Sequence, residues 1–274
     1  MKKRGLLLHI TLFLLTILTT YYAQGALYSV SVMAILLSHE MGHYIASRRY
    51  GVAATLPYFI PFPLSPFGTF GAVIKMGGII TDRKALFDIG VAGPICGFIL
   101  AVPCVLIGVK LSTAVKVTAA TPYLMLGDPL LFQLVQWLVV GDLPSGYGLL
   151  LHPVAYAGWV GLFVTALNLL PIGQLDGGHV VYAVFRDRSQ WVFRVLIAVL
   201  LLLSVVYSVS WVVLALLLLA FGIRHPEPLD PDTPLDGKRK WLAVAVLLIF
   251  ILSFVPAPFA GNSMIELIRK LFAS

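Results

Sequence analysis

At 274 residues the sequence is long enough for one or two soluble domains, but 59% of it is hydrophobic, 11% is charged and its mean hydropathy is +0.96. Those values exclude an ordinary soluble protein. The formal net charge of +7 does not indicate nucleic acid, because Lys and Arg stand in small groups at the ends of apolar runs, as they do where membrane spans are anchored to the inner face. Residues 1–274 therefore read as a single integral-membrane domain with no nucleic-acid partner.

The N-terminal Met1-Lys2-Lys3-Arg4 and the apolar run after it resemble a signal peptide without a small-residue cleavage site, so a retained signal anchor is expected. Spans over about 5–22 and 26–46 have only a few residues between them and predict a tight helical hairpin. Lys2, Lys3 and Arg4 mark the inner side at one end, Arg48 and Arg49 at the other. His9 is expected as an interfacial histidine rather than a ligand.

The second of these spans carries the most informative stretch, His39-Glu40-Met41-Gly42-His43. Two imidazoles four residues apart lie one turn above the other on one helix face, within reach of a single metal ion, with Glu40 projecting beside them. With six His and three Glu in 274 residues, the pattern arises by chance on the order of once in a thousand such sequences. A solvated helix face does not explain it, because Val32 to Leu37 are all apolar. Zinc is the first metal to consider, one ion per chain. Its catalytic sites take three protein ligands and leave a fourth position for water, and Glu40 is placed to take that water's proton.

Pro57, Pro61, Pro63 and Pro66 then exclude a regular helix, and Gly68 to Met76 reads as extended chain. Apolar, non-helical backbone is tolerated at membrane depth only where protein or a cavity surrounds it. This piece is expected as a re-entrant strand or hairpin against the active site. Its exposed edge around Thr69, Phe70 and Gly71 could receive an extended peptide by strand addition.

A third span is expected over Ala85 to Val109, its small residues Gly90, Gly93 and Gly97 allowing close helix approach. Cys96 and Cys104 lie about 12 Å apart along that helix, too far for a disulfide. The apolar run Leu130 to Val140 is too short for a crossing and suits an interfacial or re-entrant piece. A fourth span, His152 to Phe185, is interrupted by Pro171, Gly173, Gly177 and Gly178, with Asp176 opening its second half. The stretch Val195 to Ile223 predicts a short hairpin turning near Tyr207 to Ser210. A last span, Trp241 to Val255, follows the polar linker Arg224 to Lys240 and leaves Arg269 and Lys270 outside. The fold class is thus an all-α polytopic membrane protein with about six to seven transmembrane helices and a small re-entrant β element. Its catalytic core covers about 26–185, and its C-terminal helices about 193–256.

Depth brings the third ligand to the metal. His39 and His43 lie about 13 and 7 Å above the Arg48 boundary at ~1.5 Å per residue, and Asp176 about 15 Å above Arg186. All three fall in the cytoplasmic half of a core ~30 Å thick. Asp176 could instead be a helix cap, and His179, three residues on, could replace it as a ligand. With two histidines lacking a third donor, Asp176 is the preferred ligand and His179 a supporting residue.

His39-Glu40-Met41-Gly42-His43, Asn168-Leu169-Leu170-Pro171 and Leu175-Asp176-Gly177 resemble the H-E-x-x-H, N-x-x-P and L-D-G motifs of the site-2 protease family of intramembrane zinc metalloproteases. Gly68 to Ile74 is similar to the re-entrant strand of a branch with bacterial and chloroplast members. The resemblance implies His39, His43 and Asp176 as zinc ligands, Glu40 as general base and then acid, and Asn168 as a substrate-binding or oxyanion-side group. It further implies cleavage of single-span, membrane-anchored proteins, here in a bacterial inner membrane. Many bacterial relatives carry an inserted PDZ domain, and this sequence shows none.

Two other functions compete. A zincin with a downstream Glu as third ligand fits poorly, because Glu227 and Glu266, the other two Glu residues, fall in the linker and the tail. A metal transporter or a helix-binding pseudoprotease would also use intramembrane His and Asp, but coordination alone does not require Glu40.

Overall fold

The computed structural model describes residues 3–117, 126–221 and 227–258. Arg224, Glu266, Arg269 and Lys270 lie outside the described residues, and with them the expected position of the tail. Helix α1 (Lys3–Arg49) is two helices joined at Gly25, whose φ of 83° and ψ of −178° suit glycine almost alone. The chain doubles back there. The Ser29 hydroxyl donates to the Ile17 carbonyl at 3.1 Å and meets the Thr20 hydroxyl at 2.7 Å. Residues twelve apart on one straight helix would stand about 18 Å apart. The expected hairpin of the first two spans is therefore present.

Two small antiparallel pairs follow, β1 (Ala53–Ala54) with β4 (Met76–Gly77) and β2 (Tyr58–Pro61) with β3 (Thr69–Val73). The β2–β3 hairpin is the re-entrant element, and it is tied to α1 from both sides. Tyr28 donates its hydroxyl to the Phe67 carbonyl at 2.8 Å, and His9 Nδ1 donates to the Pro57 carbonyl at 3.1 Å. His9 is a buried strut that holds β2, its ring centroid 4.1 Å from that of Tyr58, and not part of the three-donor cluster.

Helix α2 (Arg83–Leu111) is central, packing against α1, α4 (Pro153–Asn168), α5 (Asp176–Phe185) and α8 (Gly237–Ser253). Asp82 caps it by accepting from the Ala85 N–H at 2.8 Å. Apolar side chains gain little from leaving lipid for protein, so close van der Waals packing must hold such helices together. The contact of α2 with α4 (Pro153–Asn168) shows this: a Cβ on Gly108 would lie 2.1 Å from the Ala155 nitrogen, and one on Gly158 2.7 Å from the Val105 side chain. Tyr156, Trp159 and Phe163 of α4 form a stacked aromatic row.

Between α2 and α4 the sequence reading anticipated no strands, yet β5 (Thr113–Lys116) pairs antiparallel with β6 (Tyr147–Leu150). The short helix α3 (Leu130–Val139) buries Phe132 and Val135 and exposes Leu134, Trp137 and Leu138. The broken span appears as α4 and α5 (Asp176–Phe185) separated at Leu169 to Leu175. Arg186, with φ 54°, ends α5 sharply. Helices α6 (Ser189–Val206) and α7 (Ser210–Phe221) break at Tyr207 to Val209 and pack around Leu200, Trp211 and Ala215, as the expected hairpin requires. Helix α8 (Gly237–Ser253) closes the described fold. Among the described residues three helical stretches are apolar and long enough to cross a membrane, Gly5–Arg49, Arg83–Leu111 and Asp176–Val206. The shorter α4, α7 and α8 have 16, 12 and 17 residues.

Candidate metal centre

Helical spacing on α1 places His39 and His43 side by side, their ring centroids 4.9 Å apart. The third group comes from the break in the α4–α5 span, where Asp176 begins α5. Three atoms converge: His39 Nε2 and His43 Nε2 each stand 3.2 Å from Asp176 Oδ2, and 3.2 Å from one another. A tetrahedral ion with ligands at ~2.0 to 2.1 Å requires donor-to-donor edges of about 3.3 to 3.4 Å. The nearly equilateral triangle matches one face of that tetrahedron. Two nitrogens and one carboxylate oxygen are the donor set of an open zinc site. His39, His43 and Asp176 also form a group able to hold a metal by donor proximity.

The surroundings fix the imidazoles. His43 Nδ1 meets the Ile89 carbonyl at 2.8 Å. A carbonyl only accepts, so the ring proton is on Nδ1 and the Nε2 lone pair faces the centre. The small residues noted on α2 prove to be the floor of the site. A Cβ on Gly93 would lie 2.0 Å from His43 Nε2, one on Gly97 3.2 Å from His39 Nδ1, and one on Gly90 2.9 Å from the His179 Cβ. His39 Nδ1 itself is buried with no hydrogen-bond partner among the described residues.

A cavity of ≈ 170 Å³ opens on the cluster, about ten times the space one water needs. Glu40 is buried and lines it, with the Ile74 backbone N–H directed at its carboxylate. Asn168, the last residue of α4, directs Nδ2 at His39 Nε2 from 3.2 Å. His179 also lines the cavity, one turn into α5, but it is outside the three-donor cluster. On the β side the lining is Ala72, Val73 and Ile74 rather than Thr69, Phe70 and Gly71. Thr69 is buried, its hydroxyl donating to the Ile60 carbonyl at 2.9 Å and accepting from the Gly71 N–H at 2.9 Å. Phe70 is exposed and stacks on Phe62 with centroids 4.1 Å apart.

Three contributors were missed in the sequence. Gln174 stands at the cavity wall in the α4–α5 break. Its place beside Pro171 and Asp176 was a usable signal. The Ile89 carbonyl and the Ile74 N–H are backbone groups, which sequence does not mark.

The model of peptidase family M50 matches residues 27–207, a stretch that holds the whole cluster. The chain is 33% identical over 234 residues to the probable zinc metalloprotease EGY1, chloroplastic, of Arabidopsis thaliana, covering 82% of this chain and 42% of the relative. It is 34% identical over 236 residues to the protein of the same name from Oryza sativa subsp. japonica, covering 82% and 39%. Against the probable zinc metalloprotease EGY2, chloroplastic, of Arabidopsis thaliana the identity is 29% over 244 residues, covering 87% and 43%. The chain thus spans about two fifths of the length of these relatives. Because the matched residues include both histidines, Asp176 and the break that presents it, the chain belongs to peptidase family M50, the site-2 protease family of zinc metalloproteases.

Proposed function

We propose that the chain is an intramembrane zinc endopeptidase that cleaves single-span, membrane-anchored proteins. The observation that carries this reading is the position of Glu40: it lines the same cavity as the three-donor cluster without being part of it. Zinc, when bound, polarises a carbonyl as a Lewis acid and acidifies water. The Glu40 carboxylate accepts the proton of the attacking water and returns it to the amide nitrogen as the carbon–nitrogen bond breaks. Asn168 donates its amide N–H to the oxygen that gains charge on the attacked carbonyl.

The peptide needs to be extended to reach these groups, and β3 supplies a template. Among the described residues its strand partner is β2, and a substrate segment would add as a strand along its other edge. The edge runs from Thr69 and Phe70 past Gly71 to the cavity wall at Ala72 to Ile74, so the upstream residues hold substrate farther from the cut. Both legs of α1, with α2, the α4–α5 pair, α6, α7 and α8, make up the proposed six to seven crossings, with the centre in the cytoplasmic half. The relatives' names place them in chloroplasts, and a bacterial inner membrane is the proposed setting here.

The test is Glu40→Gln, assayed with a panel of single-span test proteins in vesicles. Cleavage by the wild type that falls by ~10² to 10⁴-fold in the variant, with zinc content unchanged, supports the reading. Equal cleavage by both removes Glu40 as the base. Metal flux dependent on His39 and Asp176, with no cleavage, replaces the protease by a transporter.

A further inference from the structure

A second polar network lies toward the Arg48 end of α1, and it joins three helices. Asp88 on α2 accepts from the Tyr50 hydroxyl and from Arg239 of α8 through both Nε, at 2.8 Å, and Nη2. Nη2 also donates to the Tyr50 hydroxyl at 3.1 Å, and Nη1 donates to Asp236. Each guanidinium nitrogen is therefore engaged, two of them on one carboxylate in the bidentate geometry that makes such pairs strong. The Tyr50 hydroxyl is protonated at neutral pH and so donates; burial, and then the Asp88 carboxylate, push its pKa further up.

The location of this network gives it reach. Asp88 precedes Ile89, whose carbonyl fixes the His43 ring. Nearby, Arg83 Nε donates to the Ala183 carbonyl in α5, the helix that begins with Asp176. The start of α2 thus touches both elements, α1 and α5, that carry the three metal-binding side chains. The segment just before it is held too, since the N–H groups of Leu229 and Asp230 donate to the Ile80 and Thr81 carbonyls at 3.0 Å each. Arg239 lies beyond residues 27–207, the part matched by the family model.

We propose that Arg239 is a positioning residue for the metal centre: by clamping Asp88 and Tyr50 it holds the start of α2 against α1, and so holds the Ile89 carbonyl on His43 Nδ1. This rests on the three-donor centre described above. Groups behind metal ligands set affinity through ligand orientation, and their loss typically costs about 10 to 100-fold. The C-terminal linker and α8 are in this way part of the metal centre rather than only an anchor.

The experiment uses the full chain in detergent and reads two quantities besides activity: zinc affinity by chelator competition, and the visible absorption of the cobalt(II)-substituted protein. Arg239→Gln should weaken zinc binding by about 10 to 100-fold and shift the cobalt bands. Arg239→Lys should recover part of the loss, because it keeps the charge but not the fork. Lys238→Gln, two positions from the linker end, should change neither quantity. Wild-type affinity and spectrum in Arg239→Gln would overturn the proposal, as would an equal loss in Lys238→Gln. If Arg239→Gln does not fold, Tyr50→Phe decides: it deletes one hydroxyl, and an unchanged cobalt spectrum with unchanged zinc affinity overturns the proposal. A wild type that binds no zinc at all would instead bring down the metal centre itself, and the proposal with it.

Discussion

Gly93 of α2 lies so close to His43 that a Cβ at that position would stand 2.0 Å from Nε2, the atom that faces the metal. No side chain larger than hydrogen fits there without moving either the ring or the helix. Gly93→Ala should therefore reduce zinc content below half of one ion per chain and destabilise the fold by ~1 to 3 kcal/mol, the usual cost of overpacking. Gly97→Ala is the internal comparison. Its Cβ would meet His39 Nδ1 at 3.2 Å, a contact that small shifts relieve, so most of the zinc should be retained. Metal analysis of the two purified variants distinguishes them, and equal zinc in both would refute the close-packing argument.

Asp176→Asn tests the third donor. The neutral amide is a poor zinc ligand, so zinc content should drop strongly, as it should in His39→Ala and His43→Ala. His179→Gln should leave zinc nearly intact, since His179 lies outside the three-donor cluster. Full retention of zinc in Asp176→Asn together with loss in His179→Gln would exchange the two roles.

Gly25 tests the hairpin of α1. Its φ of 83° and ψ of −178° belong to a region closed to other residues, while nothing lies within 4 Å of where its Cβ would be. The cost of Gly25→Ala is thus backbone strain alone, about 1 to 3 kcal/mol. Thermal unfolding in detergent should show the loss. A variant as stable as the wild type would mean that the turn relaxes into another conformation.

How much of this was legible in the sequence follows the range of the interactions. His39, Glu40 and His43 were legible because helical spacing is local. Asp176 was legible because depth in a bilayer gives a second coordinate that chain order lacks. The β5–β6 pair was not, since Thr113 and Leu150 are joined through tertiary packing and neither strand alternates strongly. Arg239 looked like one more inner-face charge, and only the fold shows that its partners are Tyr50 and Asp88. At Thr69 the structure adds a detail the sequence does not carry: its hydroxyl is occupied within the hairpin, which leaves the backbone for the strand addition expected at this edge. Gly90, Gly93 and Gly97 were correctly read as allowing close approach. What approaches them, the histidines themselves, required coordinates.

The last prediction separates Asn168 from the ligands. Its Nδ2 reaches the metal-facing nitrogen of His39 from 3.2 Å, yet an amide nitrogen carries no lone pair suited to zinc, so Asn168 is a donor beside the centre rather than part of it. A donor so placed acts on charge that develops at the attacked carbonyl. Asn168→Ala should accordingly retain wild-type zinc while lowering kcat by ~10² to 10³-fold, with a much smaller change in KM, the signature of a contact made mainly in the transition state. Asn168→Asp sharpens the test, because it keeps the size but replaces the donor by a negative charge next to the ligands. It should cut more slowly than Asn168→Ala while binding zinc at least as tightly as the wild type. If instead Asn168→Ala loses zinc in parallel with activity, Asn168 orients His39 and has no part in the chemistry.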